Sequence, residues 1–157
     1  EHIDGASSSV VLVTPYFIPH HWLIAAIHQA IGRRVAVEII VPRFTDYKTI
    51  DRINYYYFDL FTKLGAKCFL ASEMNHAKAM LIDKYLGTVG SHNIDALSFN
   101  WNVESGIFFE DPRMVGDLNR IIEEWKKHST LFAVAQNPPR WYDTLLAAIL
   151  RLFQPVL

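Results

Sequence analysis

Asn75-His76-Ala77-Lys78-Ala79-Met80-Leu81-Ile82-Asp83 is the stretch around which the chain is organised, with Gly90-Ser91-His92-Asn93 and Asn102-Val103-Glu104 close behind it. The apolar run Met80-Leu81-Ile82 lies between a polar start and the turn-forming Asp83-Lys84-Tyr85, and it reads as a short buried strand. Alternate residues of a strand share a face, so His76 and Lys78 are expected to point the same way, into one pocket. Leu86 to Val89 returns as the second arm of a hairpin, which makes the sheet mixed rather than wholly parallel.

Upstream, the β-branched run Val10 to Val13 reads as a strand ended by Thr14-Pro15-Tyr16-Phe17-Ile18-Pro19. His20 to Ile31 has helical spacing at Leu23, Ile24, Ile27 and Ile31, with Gly32 closing it. Val35 to Val41 is the next strand, and strand-helix-strand at this spacing argues parallel pairing. Thr45 to Leu64 reads as a helix with Thr45 or Asp46 as cap and Gly65 as stop. Its aromatic cluster Tyr55, Tyr56, Tyr57, Phe58 and Phe61 is expected to pack on the sheet, the sharper alternative being one or two tyrosines in a substrate cleft. Ala66 to Ala71 follows as a strand.

Downstream, Ser91 to Ser98 reads as a turn and short helix, and Ser105 to Phe109 as a strand. Asp111-Pro112 opens a helix running to Lys127. A C-terminal amphipathic helix within 138–157 carries the stripe Leu145, Leu146, Ile149 and Leu152. The expectation is an α/β fold, one domain over residues 1–157, with a mixed, mainly parallel sheet.

The chain has 157 residues, 51% of them hydrophobic, which suits one domain with a substantial core. With 15 Lys+Arg against 16 Asp+Glu, a basic surface for long nucleic acid is not indicated. The lone Cys68 excludes an intrachain disulfide and a multi-cysteine zinc site, and is expected as a small buried residue. His20, His21 and His28 sit on or near one helix without a carboxylate or cysteine to complete a ligand set, so no metal is expected. No apolar run reaches membrane-spanning length. The start Glu1-His2-Ile3-Asp4 has the look of a cut inside a longer protein.

A phosphodiester is anionic and resists attack, so its cleavage needs cations or dipoles on the non-bridging oxygens, a nucleophile and a proton donor. Lys78 offers the charge. Ser91 and Asn93 offer a hydroxyl and an amide. His76 can attack or donate a proton, and Glu104 is the candidate carboxylate that orients it. Asp83 is read as a turn former before it is read as an acid. Each residue alone has an ordinary structural explanation, but the joint arrangement outweighs them.

His76-x-Lys78, Asp83 and Gly90-Ser91-x-Asn93 at this spacing resemble the HKD signature of the phospholipase D superfamily. Thr14 to Pro19, Asn75 to Lys78 and Ser98-Phe99-Asn100-x-Asn102-x-Glu104 are similar to the bacterial cardiolipin synthase group, in particular to the second halves of its two-motif enzymes. The resemblance spans roughly Val10 to Lys127. It implies an α/β/α sandwich half-domain and no metal or organic cofactor. It also implies His76 as nucleophile through a phosphohistidine or as general acid, Lys78 and Asn93 on phosphate oxygens with Ser91 beside them, Glu104 behind His76, and Asp83 as structural support.

Such enzymes use two facing motifs and this chain has one. A second HKD half is therefore expected, from the same protein or from a homodimer. The leading expectation is a phosphatidyltransferase or phospholipase acting on phospholipid, peripheral on the cytoplasmic side of the membrane. Trp22, Trp141 and Phe153 are candidates for contact with the bilayer interface, although the last helix can equally pack on the domain. The rivals are a single-motif dimeric phosphodiesterase or nuclease, which the near-neutral charge disfavours, and a non-catalytic lipid-headgroup-binding half-domain.

Overall fold

The computed structural model describes residues 2–95, 103–138 and 140–152. Its elements in chain order are β1 (Ser9–Val13), α1 (His21–Gly32), β2 (Ala36–Pro42), α2 (Lys48–Leu64), β3 (Lys67–Ala71), β4 (Ala79–Ile82), β5 (Leu86–Gly90), β6 (Gly106–Phe109), α3 (Pro112–Lys127), β7 (Ser129–Leu131) and α4 (Trp141–Leu152). The strands form one sheet in the order β6-β5-β4-β1-β2-β3-β7.

The central strands are apolar on both faces because helices cover both. Val10, Leu12, Ile39, Val41, Cys68 and Leu70 pack under α1 and α2, meeting Leu23, Ile27, Ile53, Tyr57, Phe58 and Phe61. The intervening residues Val11, Val13, Ile40, Ala71, Ala79 and Leu81 face the other way and meet Val115, Leu118 and Ile122 of α3. This two-residue alternation makes the α/β/α sandwich. Each of these larger side chains contributes roughly 2 kcal/mol by leaving water. Phe17 is fully buried and stands edge-on to Tyr57, Phe58 and, at 5.6 Å between centroids, Phe61. Tyr57, Phe58 and Phe61 of the α2 cluster are thus core, as expected, while Tyr55 and Tyr56 are half-buried against it. Half-buried Tyr55 sends its hydroxyl to the Arg43 carbonyl at 2.9 Å. Cys68 is buried as expected, and burial pushes its thiol up to about 12 against a lowering bond from Thr62.

Several details differ from the sequence reading. The sheet is mixed, but it is not mainly parallel. Among the described strands only β1–β2 and β2–β3 pair parallel, while β1–β4, β4–β5, β5–β6 and β3–β7 pair antiparallel. A parallel pair needs a crossover of about a dozen residues or more, and residues 72–78, which join β3 to β4, are too few to supply one. The edge strand β7 has no periodicity to read in Ser129-Thr130-Leu131, yet it caps the side of β3.

Helix α1 includes Gly32, and the left-handed residue beyond it is Arg34, at φ 69°. Helix α2 starts at Lys48, not Thr45. The Asp51 carboxylate accepts from the Thr45 N–H at 2.7 Å, and the Thr45 hydroxyl holds the turn by donating to the Tyr47 carbonyl at 3.0 Å. Gly65 ends α2 at φ 109°, as its position suggested.

Helix α4 packs on α2. Asp143 is buried and pairs with Arg52 through two bonds, Nε–Oδ1 at 3.1 Å and Nη2–Oδ2, and also accepts from the Arg140 N–H at 2.7 Å. The expected apolar stripe is only partly inward. Leu146 is half-buried against the core, whereas Leu145 is exposed because Asp143 and Arg52 set the rotation of the helix. The side chains of Ile149 and Leu152, all of Phe153, and residues 96–102 lie outside the described residues. Ser91 to Asp95 is not helical.

Candidate active site

The topology brings four separate segments to one end of the sheet. β4 runs antiparallel to β1, so Ala79 at its start lies opposite Val13 at the end of β1. β5 runs antiparallel to β4, which sets Val89 opposite Ala79, and β6 starts at Gly106 opposite Gly90. The residues just outside these strand ends are therefore neighbours: Thr14 to Pro19, Asn75 to Lys78, Ser91 to Asp95 and Glu104.

His76 and Lys78 precede β4 instead of lying in it. The Asn75 side chain accepts from the Ala77 N–H at 2.9 Å, a local turn that competes with strand pairing. The ladder still reaches Lys78, whose carbonyl accepts from Gly90 N–H at 3.1 Å. The two side chains meet, as expected of residues sharing a face. Lys78 Nζ lies 2.7 Å from His76 Nδ1 and donates to the His76 carbonyl at 2.8 Å. Burial lowers the Lys78 pKa, opposed by the charges of Glu104 and Asp95.

Ser91 ties the third segment to the fourth. Its hydroxyl donates to Glu104 at 2.5 Å and accepts from the Ser105 N–H at 3.0 Å, and its own N–H donates to the Ser105 carbonyl at 2.8 Å. Glu104 thus joins the cluster through Ser91 and through its charge on Lys78. Asn93 is half-buried two residues on. Gly90 permits this closeness, since a Cβ there would sit 2.7 Å from the Ser105 carbonyl oxygen and 3.0 Å from Gly106 Cα.

Buried polar groups missed by the sequence reading hold the two-proline loop against this cluster. Thr14 is fully buried, and its hydroxyl donates to the Tyr16 carbonyl at 2.9 Å and accepts from Ile94 N–H at 3.2 Å. The Ile94 carbonyl accepts from Ile18 N–H at 2.7 Å. Asn54, also fully buried, accepts from Phe17 N–H at 2.9 Å. The loop consequently sets the Tyr16 ring edge-on to His76, with centroids 6.1 Å apart. Burial, then the charges of Asp46 and Tyr47 and of Asp95, raises the Tyr16 pKa. Asp95 is itself buried. Its only signal in the sequence was its place two residues after Asn93.

Asp83 lies at the opposite end of the β4–β5 hairpin. Its Oδ1 accepts from the N–H groups of Ser8 and Ser9 at 2.8 Å each and from the Ser8 hydroxyl at 2.9 Å, and Oδ2 takes the Ser7 N–H and hydroxyl, both at 2.8 Å. Partial burial works to raise its pKa, but the backbone donors of Ser9, Ser7 and Ser8 outweigh it and hold the carboxyl well below the usual range. Asp83 and Lys84 are both left-handed, at φ 52° and 53°, the backbone that a type I′ hairpin turn needs. The geometry carries the turn-former reading of Asp83 and sets it at the far end of the hairpin from His76.

Beside the cluster an apolar cavity of about 450 Å³ runs between α1 and the β4–β6 side of the sheet, with Trp22, Leu23 and Met80 in its walls and Lys78 and His92 at one end. Among the described residues no group of three or more His, Cys, Asp or Glu side chains is placed to hold a metal ion.

Comparison with known proteins agrees with this architecture. Residues 1–126 match the family model described as cardiolipin synthase, PLD-like domain. The chain is 30% identical to Cardiolipin synthase 1 of Bacillus cereus over 157 residues, covering 99% of this chain and 31% of that protein. It is likewise 30% identical to Cardiolipin synthase A of Proteus mirabilis, covering 99% of this chain and 32% of that protein. The chain therefore spans about a third of the length of the curated relatives it matches.

In fold it is similar to the phospholipase D family member Nuc of Salmonella typhimurium, with a TM-score of 0.73, 16% identity and coverage of 83% of this chain and 86% of that one. It is also similar to phosphatidylserine synthase of Haemophilus influenzae, with a TM-score of 0.70, 16% identity and coverage of 95% of this chain and 40% of that one. With a family match over residues 1–126, the chain belongs to the cardiolipin synthase, PLD-like domain family.

Proposed function

We propose that the 157 residues form one half of a phospholipase D-type phosphatidyltransferase of the cardiolipin synthase kind. The observation that carries this reading is the meeting of His76, Lys78, Ser91 and Glu104 at one end of the sheet. The cardiolipin synthase relatives, similar over 99% of the chain, supply the substrate class.

In the first step a lone pair of neutral His76 attacks the phosphorus of a donor phospholipid. The N–P bond forms as the P–O bond to the departing alcohol breaks, and that alcohol leaves with a proton from an acid on the facing half. In the second step an acceptor alcohol attacks the phosphohistidine. Its proton returns to the same group, the N–P bond breaks, and His76 is restored. Lys78 turns from the imidazole to the non-bridging oxygens, joined by Asn93, with Ser91 beside them. Glu104 steadies the cluster through Ser91 and orients His76. The facing half comes from a longer parent protein or from a second copy. The working place under this proposal is a membrane surface, on the cytoplasmic side, with the protein bound peripherally.

The test is phospholipid turnover by this chain and by its full-length parent, with glycerol or phosphatidylglycerol as acceptor. The reading expects a phosphatidyl product whose yield depends on the acceptor. Turnover by the parent that is unchanged by His76→Ala would overturn it.

A further inference from the structure

A second cavity, of about 580 Å³, lies between the start of α2 and the connection into α4. Arg43, Lys48, Arg52 and Arg140 line it, together with Tyr55 and Tyr142. Three carboxylates share this region: exposed Asp46 on the loop before α2, Asp51 in the cavity wall and buried Asp143. Asp51 accepts from the Thr45 N–H at 2.7 Å, and Asp143 holds Arg52. Arg43 is steered by its bond to the Thr130 hydroxyl and Arg140 by the Tyr142 hydroxyl at 2.5 Å. With Arg52 balanced by Asp143, the cations Arg43, Lys48 and Arg140 stand against Asp46 and Asp51, a local excess of one positive charge in a chain of net charge −1.

Around the cavity stand large apolar side chains exposed to solvent: Trp141 at 85%, Phe44 at 67%, Tyr47 at 61% and Leu145 at 55%. Trp and Tyr beside basic groups are the side chains that settle at the boundary between lipid headgroups and acyl chains.

The loop that lines the cavity leaves the same end of the sheet as the His76 cluster. The loop Arg43 to Tyr47 leaves the end of β2, which runs parallel to β1, so it emerges on the same side as Thr14 to Pro19. Asp46 and Tyr47 are close enough for their charges to act on Tyr16, whose ring faces His76.

We propose that this basic cavity and its aromatic rim form a docking site for an anionic phospholipid bilayer, separate from the His76 site. Lys48, Arg43 and Arg140 take headgroup phosphates, and Trp141, Phe44 and Tyr47 enter the interfacial layer. Docking in this way turns the His76 end of the sheet toward the membrane.

Vesicle flotation tests the proposal without requiring turnover. The protein should bind phosphatidylcholine vesicles containing about 30% phosphatidylglycerol at least tenfold more tightly than phosphatidylcholine alone. The pair K48E/R140E should lose about tenfold or more of that affinity. Trp141→Ala should weaken binding to both kinds of vesicle. The pair R113E/R120E, which reverses as many charges on α3, should bind as wild type, and so should His76→Ala, which separates loss of docking from loss of catalysis. If K48E/R140E does not melt as wild type by circular dichroism, K48Q/R140Q replaces it. No preference for anionic vesicles, or an equal loss in the two pairs, would overturn the proposal.

Discussion

The β4–β5 hairpin has two ends built from one sequence signature, and they serve opposite purposes. At the turn, the Asp83 carboxylate receives three backbone N–H groups and two hydroxyls from Ser7, Ser8 and Ser9, which staples the hairpin to the start of β1. At the open end, His76 is exposed and its ring nitrogen is shared with Lys78. A carboxylate saturated with donors is held ionised and has little capacity left for proton transfer. The His76 imidazole meets only Lys78 and the edge of Tyr16 among the described residues and stays exposed. Within one motif, the two ends differ in how many partners hold the titratable side chain.

The largest expected effect breaks the open end. His76→Ala should lower phospholipid turnover by the parent protein at least about a thousandfold while leaving the thermal midpoint near the wild-type value. A turnover assay paired with a melting curve reads both. The mirror experiment breaks the stapled end. Asp83→Ala should cost about 2–3 kcal/mol of stability in urea unfolding, because it leaves the Ser7 to Ser9 donors to water, and it should retain turnover at temperatures where it is folded.

The same end sets an acid limit. Asp83 ionises in the folded chain below the value of 3.8 for the free carboxyl, so its contribution is whole above about pH 4 and is lost as pH falls through the folded value. Stability measured from pH 6 downward should decline more steeply in the wild type than in Asp83→Ala.

A smaller effect is expected where the ends communicate. Gly90→Ala places a Cβ 2.7 Å from the Ser105 carbonyl oxygen, so β5 and β6 must part. The expected cost is about 1–3 kcal/mol in unfolding, with a loss of turnover larger than that of stability because Ser91 moves off Glu104. Equal losses would show that Ser91 is not positioned by the glycine.

The sequence made the hairpin, its signature residues and the β1-α1-β2-α2-β3 run legible, because periodicity, prolines and Gly65 mark them locally. It showed less where distant contacts decide. Nothing in Asn75-His76-Ala77-Lys78 shows that an Asn75 turn delays β4 until Ala79. The antiparallel majority follows from connection lengths that become visible only with the strand order, and β7 is too short to carry a period. No local pattern marks Thr14 or Asn54 as buried, yet in full burial they fix the loop that carries Tyr16 to His76. Their role depends on the facing backbone of Phe17 and Ile94, which no local pattern encodes.

The most direct test of the central claim is chemical trapping on the full-length parent. A brief reaction with a phospholipid labelled in its phosphate, quenched in base, should leave acid-labile, base-stable label on a peptide containing His76, and the label should be discharged by added alcohol. Label absent from that peptide, or present there but unaffected by acceptor alcohol, would contradict the account.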